Sequence, residues 1–298
     1  MKLHEIGEND LLRQLLPGLP GNGELLVGPG DDCAVTVRDE YWDTLLKTDA
    51  VVEGIHFLRE TDPYLVGRKA LGRALSDIAA MGGFPEHALV TVLVHPGREA
   101  ESLYRLYEGL ASMAADHRVS LAGGETSSLP SDGLAISIAL TGKIPHGQAV
   151  LRSTGHPGDL VCVTGRLGGS FSSGRHLDFT PRLKEARALT ANGRLPTAMM
   201  DLSDGLGTDL PRLAEASGCS WELDLDSLPL HPGCTTEQAL GDGEDYELLF
   251  TISPDHSDRL FHIRKTCFPD TPVTIVGRLV PRVSIPPAIP SGWQHFQA

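Results

Sequence analysis

An apolar stripe runs through the stretch Pro63-Tyr-Leu-Val-Gly-Arg-Lys-Ala-Leu-Gly-Arg-Ala-Leu-Ser-Asp-Ile-Ala-Ala-Met81. Its apolar residues recur every three or four positions, which is the spacing of one face of an α-helix. They are Leu65, Ala70, Leu71, Ala74, Leu75, Ile78 and Ala79. Asp77 lies among them, so we expect its carboxylate to be partly buried and to need a partner. The partner is either a metal ion or a cation on the same helix, Arg73 or Lys69.

Strand-like and helix-like segments alternate on both sides of this helix, which predicts an α/β (α+β) protein. The strands are predicted at Leu45–Val52, His87–Val94, Val119–Ala122, Leu134–Thr141, Asp159–Thr164, Ser220–Leu225, Glu247–Ile252 and Val273–Leu279. Further helices are predicted at Glu99–His117, Arg182–Leu189, Thr208–Ser217 and Pro254–Thr266. Gly, Pro and His are frequent between Lys143 and Gly158. We place a domain boundary there, which divides the chain into residues 1–145 and 146–298.

Composition narrows the class of protein. The 298 residues carry 25 Lys and Arg against 39 Asp and Glu, a net charge of −14, which argues against a nucleic-acid binder. No apolar run reaches the ~20 residues that span a membrane, and the acidic N-terminus lacks the apolar core of a signal peptide. The five cysteines are odd in number and contain no CxxC pair. This pattern favours reduced thiols and a cytoplasmic location.

Acidic residues recur next to glycines, at the ends of predicted elements. The motifs are Gly30-Asp31-Asp32, Thr48-Asp49, Ser76-Asp77, Gly123-Gly124-Glu125-Thr126, Asp201-Leu202-Ser203-Asp204-Gly205 and Gly243-Glu244-Asp245-Tyr246. Glycines let a backbone approach a ligand closely, and carboxylates are the hard oxygen ligands that Mg²⁺ prefers. Together the motifs predict a nucleotide and metal site.

Each motif also has a structural interpretation. Asp-Gly and Asp-Asp pairs are common in turns and caps, and Asp204 is placed to act as the N-cap of the following helix. His56 can be a satisfied structural histidine, and Arg152 can be solvated as readily as bound to phosphate. The chain has neither a P-loop nor a Rossmann glycine motif, nor the signatures of zinc proteases, serine hydrolases or protein kinases. An ATP-dependent activity would therefore use another fold.

In chain order, the motifs resemble those of the thiamine-monophosphate kinase family. The matching runs are Gly28-Pro-Gly-Asp-Asp-Cys-Ala-Val35, Thr48-Asp-Ala-Val-Val-Glu-Gly-Ile-His-Phe57, Ala74-Leu-Ser-Asp-Ile-Ala-Ala-Met-Gly82, Gly123-Gly-Glu-Thr126, Arg152-Ser-Thr-Gly-His-Pro-Gly-Asp159, Asp201-Leu-Ser-Asp-Gly205, Gly243-Glu-Asp-Tyr-Glu-Leu-Leu249 and Gly292–Phe296. The wider group, which includes aminoimidazole-ribonucleotide synthetase, shares only fragments of these runs. Glu53–Phe57 and Gly243–Leu249 together select the thiamine-phosphate branch.

The resemblance implies a two-domain synthetase-like fold. Its N-terminal domain carries a mixed sheet and most of the ATP site, and a C-terminal α/β domain completes the active site. It also implies a homodimer that transfers the γ-phosphoryl group of ATP to thiamine monophosphate, with several Mg²⁺ ions. The accepting phosphate is already mostly dianionic at neutral pH, so no general base is needed and no catalytic side chain is assigned.

The resemblance also implies roles for individual residues. The implied metal-binding positions are Asp32, Thr48, Asp49, Asp77, Asp201 and Asp204, with Asp31 as an outer partner and Glu125 as a further ligand. The implied nucleotide contacts are Gly124, Glu125, Arg152 and Ser203. Positions implied near the thiamine phosphate are His56, Glu244 and Trp293.

Three positions depart from the family pattern. Glu125 stands where Asp is usual, and Lys47 adds a cation beside Asp49 where a small or hydroxylated residue is frequent. The segment Gly165–Thr180 is short and polar, with Gly169 in place of an Asp, and the loss of a helix there is expected to loosen the packing between domains. Two alternatives follow: another ATP-dependent enzyme of the wider group with a different acceptor, or a binder of ATP or thiamine phosphates without turnover.

Overall fold

The computed structural model describes residues 3–191, 193–282, 289–290 and 292. The strands are β1 (Leu25–Val27), β2 (Ala34–Val37), β3 (Trp42–Val52), β4 (Phe84–Val94), β5 (Ser120–Ser128), β6 (Leu134–Pro145), β7 (Leu160–Thr164), β8 (Ala198–Asp201), β9 (Cys219–Leu223), β10 (Leu248–Ile252) and β11 (Val273–Pro281). The helices are α1 (Leu3–Ile6), α2 (Glu8–Leu15), α3 (Pro63–Ala80), α4 (Ala100–His117), α5 (Ser170–Ser173), α6 (Leu183–Thr190), α7 (Leu206–Ala216), α8 (Thr236–Gly241) and α9 (Ser257–Cys267). The strands form two sheets, and the predicted α/β class is confirmed.

Helix α3 forms where the apolar stripe predicts it. Pro63 occupies the first turn, where its missing N–H is no loss, and the Asp62 side chain accepts a hydrogen bond from the Tyr64 N–H at 2.9 Å. Leu71, Leu75 and Ile78 are fully buried. No helix among the described residues is both long and apolar enough to cross a membrane.

The N-terminal sheet has the strand order β1-β2-β3-β6-β4-β5. All neighbours are antiparallel except β4 and β5, which are parallel. Residues on β6 alternate between buried and half-buried positions, because helices α3 and α4 cover one face of the sheet. On the other face Leu46 and Leu89 remain 42% and 49% exposed. We call this the bare sheet face.

The C-terminal sheet has the order β8-β10-β7-β11-β9, with antiparallel neighbours throughout. Phe250 and Ile252 face a core that contains α6 and α9 and continues into the N-terminal half, where it includes Leu75 of α3. Leu249 faces a second core under α7 and α8. The sheet is therefore covered on both sides, and α3 belongs to the core that the two halves share.

Two segments differ from the sequence prediction. The predicted strand Val119–Ala122 extends to Ser128, so Gly123, Gly124 and Glu125 lie inside β5, where pairing with β4 holds them extended despite two glycines. The short segment Gly165–Thr180 contains α5 and a 3-10 turn, and it keeps contact with α3 because Arg68 Nε donates to Asp178 Oδ1 at 2.7 Å.

The crossing of α3 and α4 depends on glycine. A Cβ atom at Gly109 would lie 1.9 Å from the Tyr64 carbonyl oxygen, and one at Gly67 would lie 2.1 Å from that of Leu106. No side chain fits at such a distance, so the helices must separate to accept one. Gly23 differs from both glycines, because a Cβ atom there would have no neighbour within 4 Å. Its φ angle also lies outside the left-handed region, so alanine can adopt the same backbone conformation.

We expect Gly109→Ala to lower the free energy of unfolding by about 1–3 kcal/mol, because overpacking outweighs the better helix propensity of alanine. Urea denaturation measures the change. Gly23→Ala is the matched control and should leave stability nearly unchanged. Equal stability of Gly109→Ala and the wild type would contradict the close packing of the two helices.

Candidate functional site

Three buried carboxylates from separate parts of the chain converge between the two sheets. Asp32 precedes β2, Asp77 lies in the last turn of α3, and Asp201 ends β8. One oxygen atom of each lies within 4.8 Å of the others, and the residues are only 2%, 6% and 3% exposed. Three of the predicted metal-binding residues are thus brought together. We call them the carboxylate cluster.

Within the part of the chain that the structure describes, the side chain of each cluster member bonds one polar side chain. Lys47 Nζ donates to Asp77 Oδ1 at 2.7 Å. Arg152 donates from Nε to Asp32 Oδ2 at 3.1 Å and from Nη2 to Oδ1 at 2.5 Å. Ser76 Oγ donates to Asp201 Oδ2 at 2.6 Å. Asp77 therefore pairs with Lys47 and not with a cation of its own helix.

The protein's own cations do not balance the negative charge in this region. Burial raises the pKa of Asp77 well above its usual value, although Lys47 opposes the shift. Burial, and then the charge of Asp32, raise the pKa of Asp201 and of Asp31 to about 6. Carboxylate oxygens with a deficit of positive charge are the ligands that Mg²⁺ prefers. The cluster therefore fits a magnesium ion by its donor chemistry and its charge.

Asp31, Asp49 and Asp204 lie near the cluster but have other partners. Asp31 Oδ2 accepts a hydrogen bond from the Arg152 backbone N–H at 3.1 Å, and Asp49 Oδ2 accepts one from Arg73 Nε at 3.1 Å. Asp204 pairs with the Arg212 guanidinium.

The expected N-cap role of Asp204 is wrong, because Gly205 is the N-cap of α7 and no side chain caps it. The buried Asp209 side chain accepts from the Asp204 backbone N–H at 3.0 Å instead.

Two further predicted ligands lie on the bare sheet face. Residues alternate along β3, so the exposed Thr48 points away from the side on which Lys47 reaches Asp77. Glu125 is exposed in β5 and pairs in register with Thr91. Gly124 is opposite Val90, where a Cβ atom would lie 1.8 Å from the Val90 carbonyl oxygen. The described chain therefore does not bring Thr48 and Glu125 to the cluster.

Two cavities flank this region, and Asp204 lines both. The larger cavity, about 890 Å³, has Arg152, Arg212, Lys47 and Gly30 in its wall, together with residues of α2. The smaller cavity is about 360 Å³. Its lining consists of Gly54, Ile55, His56, Arg73, Phe171, Ser203, Asp204, Asp242, Glu244 and Tyr246. The predicted residues Arg152 and Ser203 thus lie on different cavities, and Trp293 lies outside the described residues.

A fully buried lysine lies behind the wall of the smaller cavity, where it bonds two of the lining residues. Lys69 Nζ donates to both carboxylate oxygens of Glu244 at 2.8 Å and to the His56 carbonyl oxygen at 2.5 Å. Burial lowers the pKa of Lys69 to about 8, against the charge of Glu244. His56 Nδ1 accepts from the Val52 backbone N–H at 3.1 Å, so His56 has both a structural bond and a place in the cavity wall. Lys69 links two predicted acceptor-site residues.

The backbone beside this lysine is strained. Glu244 and Tyr246 have φ angles of 54° and 52°, which place them in the left-handed region. Such positions are uncommon for residues other than glycine and cluster at functional sites. Tyr246 is held by its stacking on Phe179, with ring centroids 4.0 Å apart.

Sequence reasoning assigned no site role to Lys69 and Arg73. Both were considered only as partners of Asp77, whereas Lys69 pairs with Glu244 and Arg73 pairs with Asp49. Lys69, Arg73 and Asp77 are spaced four residues apart, which places them on one side of α3. This row of charges within an apolar helix is the signal that could have identified them.

Comparisons with known proteins identify the family and the fold of the chain. The AIR synthase related protein N-terminal domain matches residues 30–144, and the corresponding C-terminal domain matches residues 156–284. Thiamine-monophosphate kinase of Bacillus subtilis is 36% identical over 273 residues, which cover 83% of each chain. The Rhodopirellula baltica protein of the same name is 35% identical, covering 88% of this chain and 86% of its own. The solved structure of AaThiL complexed with AMPPCP and TMP superposes with a TM-score of 0.82 at 29% identity, over 99% of each chain.

The raised pKa of Asp201 predicts a pH-dependent stability difference. The pKa of an ordinary aspartate, as in the unfolded chain, is 3.8, and that of Asp201 in the folded metal-free protein is about 6. Between these values the folded state binds more protons than the unfolded chain, so this group reduces stability as the pH rises. We expect Asp201→Asn, which keeps an acceptor for Ser76, to be more stable than the wild type at pH 7 by about 1–3 kcal/mol, with little difference near pH 4.

Chemical denaturation of the metal-free proteins at both pH values measures this difference. Asp270→Asn, which changes an exposed aspartate, is the control. It should have the stability of the wild type at both pH values. Adding Mg²⁺ at pH 7 should raise the melting temperature of the wild type more than that of Asp201→Asn. A variant that is less stable than the wild type at pH 7 would show that Asp201 has no net repulsion to relieve.

Proposed function

The chain belongs to the thiamine-monophosphate kinase family, and we propose that it transfers the γ-phosphoryl group of ATP to thiamine monophosphate. The products are thiamine diphosphate and ADP. The observation that carries the proposal is the carboxylate cluster. Its partners Lys47 and Arg152 line the larger cavity, which shares Asp204 with the smaller one. A donor and an acceptor that occupy separate cavities can meet at a residue that both cavities share.

We assign the larger cavity to ATP and the smaller one to thiamine monophosphate. The larger cavity has room for a nucleotide, and the Arg152 and Arg212 guanidiniums in its wall suit phosphate oxygens. The smaller cavity combines the aromatic rings of Phe171 and Tyr246 with Glu244. Aromatic faces and a carboxylate suit a flat, positively charged heterocycle. AaThiL, the structural relative, is complexed with AMPPCP and TMP.

The residues of the carboxylate cluster, with Asp49, Asp204 and Asp31, would hold several Mg²⁺ ions. Bound there, these ions supply charge neutralisation between two polyanions and orient them for direct in-line transfer. Arg152 and Lys47 hold Asp32 and Asp77 in place by ion pairs. Lys69 fixes Glu244 in the wall of the acceptor cavity. The acceptor phosphate, with a second pKa of about 6, attacks without a general base.

The first test is turnover. Purified protein with ATP, Mg²⁺ and thiamine monophosphate should form thiamine diphosphate, detected by chromatography, and EDTA should abolish it. Asp77→Asn should lower the rate by ~100-fold or more, because charge stabilisation by metal is worth several kcal/mol. Asp255→Asn, at an exposed position, is the matched control and should retain full rate.

Other results would select the alternatives. Binding of both ligands without product would indicate a non-catalytic binder. Failure to bind thiamine monophosphate, together with ATP hydrolysis, would indicate another acceptor within the wider group. A normal rate for Asp77→Asn would remove this residue from the metal site.

We further propose that the chain forms a homodimer through the bare sheet face. Support comes from the apolar surface that helices leave uncovered there, which includes Leu46 and Leu89. Exposed apolar faces of this kind are typical of protein interfaces. Thr48 and Glu125 lie on the same face, and their role in metal binding stays a prediction. A cytoplasmic location, which the free thiols of all five cysteines favour, also stays a prediction.

Light scattering after gel filtration tests the dimer. The wild type should have twice the 31.9 kDa mass of one chain. Leu89→Asp should shift the mass toward one chain, since a charge buried in an interface is unfavourable. Leu225→Asp is matched to it, because Leu225 is 47% exposed against 49% for Leu89, and it should leave the mass unchanged. A wild-type mass of one chain would refute the dimer.

A further inference from the structure

Arg73 has hydrogen-bonding capacity that the described protein does not use. Its side chain is 14% exposed and lies in α3, between Lys69 and Asp77. Nε donates to Asp49 Oδ2 at 3.1 Å. Within the described residues, the buried Nη1 atom has no hydrogen-bond partner. Unpaired buried donors are rare in native proteins and call for an explanation.

The neighbouring carboxylates are already engaged. Both oxygens of Glu244 accept hydrogen bonds from Lys69, and Asp77 pairs with Lys47. Asp49 bonds the Nε edge of the guanidinium. Despite burial, the charges around Arg73, including Asp49 and Glu244, raise the pKa of its guanidinium, so its positive charge is permanent.

This charge has a distinct position in the smaller cavity. Among the described residues that line the cavity, Arg73 is the one with a permanent positive charge, whereas Asp204, Asp242 and Glu244 are acidic. Lys69 lies beneath the wall, is 0% exposed and already bonds three oxygen atoms. An anionic group entering from this side therefore meets one protein cation with spare donors.

We propose that Arg73 binds the phosphate of the acceptor and thereby selects a phosphate monoester over the corresponding alcohol. The inference rests on the proposed function. A guanidinium offers paired N–H donors that match two oxygens of a phosphate. Asp49 positions the guanidinium through Nε and leaves Nη1 for the ligand. An unphosphorylated acceptor leaves this donor unpaired, and a site built around a buried polar group rejects such an analogue.

The decisive experiment compares Arg73→Gln with the wild type in steady-state kinetics. We expect the KM for thiamine monophosphate to rise ~10–100-fold, as for the loss of a charged hydrogen bond, while the KM for ATP changes less than twofold. Arg73→Lys keeps the positive charge but loses the paired N–H donors of the guanidinium. Its KM for thiamine monophosphate should lie between those of the wild type and Arg73→Gln. Arg68→Gln is the matched control: Arg68 lies on the same helix, is 15% exposed and bonds Asp178 outside the cavity.

Calorimetry separates this inference from the proposed function. Without ATP and Mg²⁺, the wild type should bind thiamine monophosphate more tightly than thiamine, and Arg73→Gln should bind the two with similar affinity. This result would support the role of Arg73 even if the wild type showed no turnover, in which case only the proposed function fails. Turnover by the wild type with an unchanged acceptor KM in both variants would overturn the inference. Equal increases in both KM values with a lowered melting temperature would also overturn it, because they indicate a purely structural role.

Discussion

Repulsion among Asp32, Asp77 and Asp201 is the constraint to which the rest of the site responds. Three carboxylates whose oxygens lie within 4.8 Å of one another, and which are nearly excluded from water, cannot all be ionised without compensation. Lys47 and Arg152 compensate two of them, and Ser76 offers the third only a neutral hydrogen bond. Burial first, and then the charges of the neighbouring carboxylates, raise the pKa of Asp77 and of Asp201. A site that is destabilised when empty is one that a divalent cation stabilises by binding.

Helix α3 carries this chemistry because it belongs to the core that both sheets share. Its apolar residues pack against the N-terminal sheet and the C-terminal core, while Lys69, Arg73 and Asp77 occupy another side of the same helix. Lys69 pairs with Glu244 in the loop before β10, whereas Arg73 and Asp77 pair with Asp49 and Lys47, which both lie on β3. The helix therefore fixes the distance between the smaller cavity and the carboxylate cluster. A rigid element does this better than a loop, since a small misplacement of reacting groups is costly in rate.

Local patterns in the sequence were sufficient to predict α3 and most strands, and the family resemblance added the candidate ligands Asp32, Asp77 and Asp201. They were insufficient where a long-range contact decides the outcome. Residues 120–128 form one strand because β4 pairs with them. The two glycines in this segment lower its strand propensity, so the local sequence does not predict the full strand. Lys47 is thirty residues from Asp77 in the chain, so no helical spacing identifies that pair. Strand alternation decides on which face of the sheet Thr48 and Glu125 lie. The order of the strands, with β6 between β3 and β4, cannot be predicted from any single segment.

The positions of the cations suggest how an acidic protein binds polyanions without a P-loop. Arg152 and Lys47 are on the side of the larger cavity, and Arg73 is on the side of the smaller one, with the carboxylates between them. Arg152 and Lys47 already pair with Asp32 and Asp77, and Arg73 pairs with Asp49 through Nε. Under the proposed function, divalent ions at the carboxylates between the two phosphates would supply the strongest attraction. Binding energy would then be greatest where the phosphoryl group is transferred, which is the place where it accelerates a reaction.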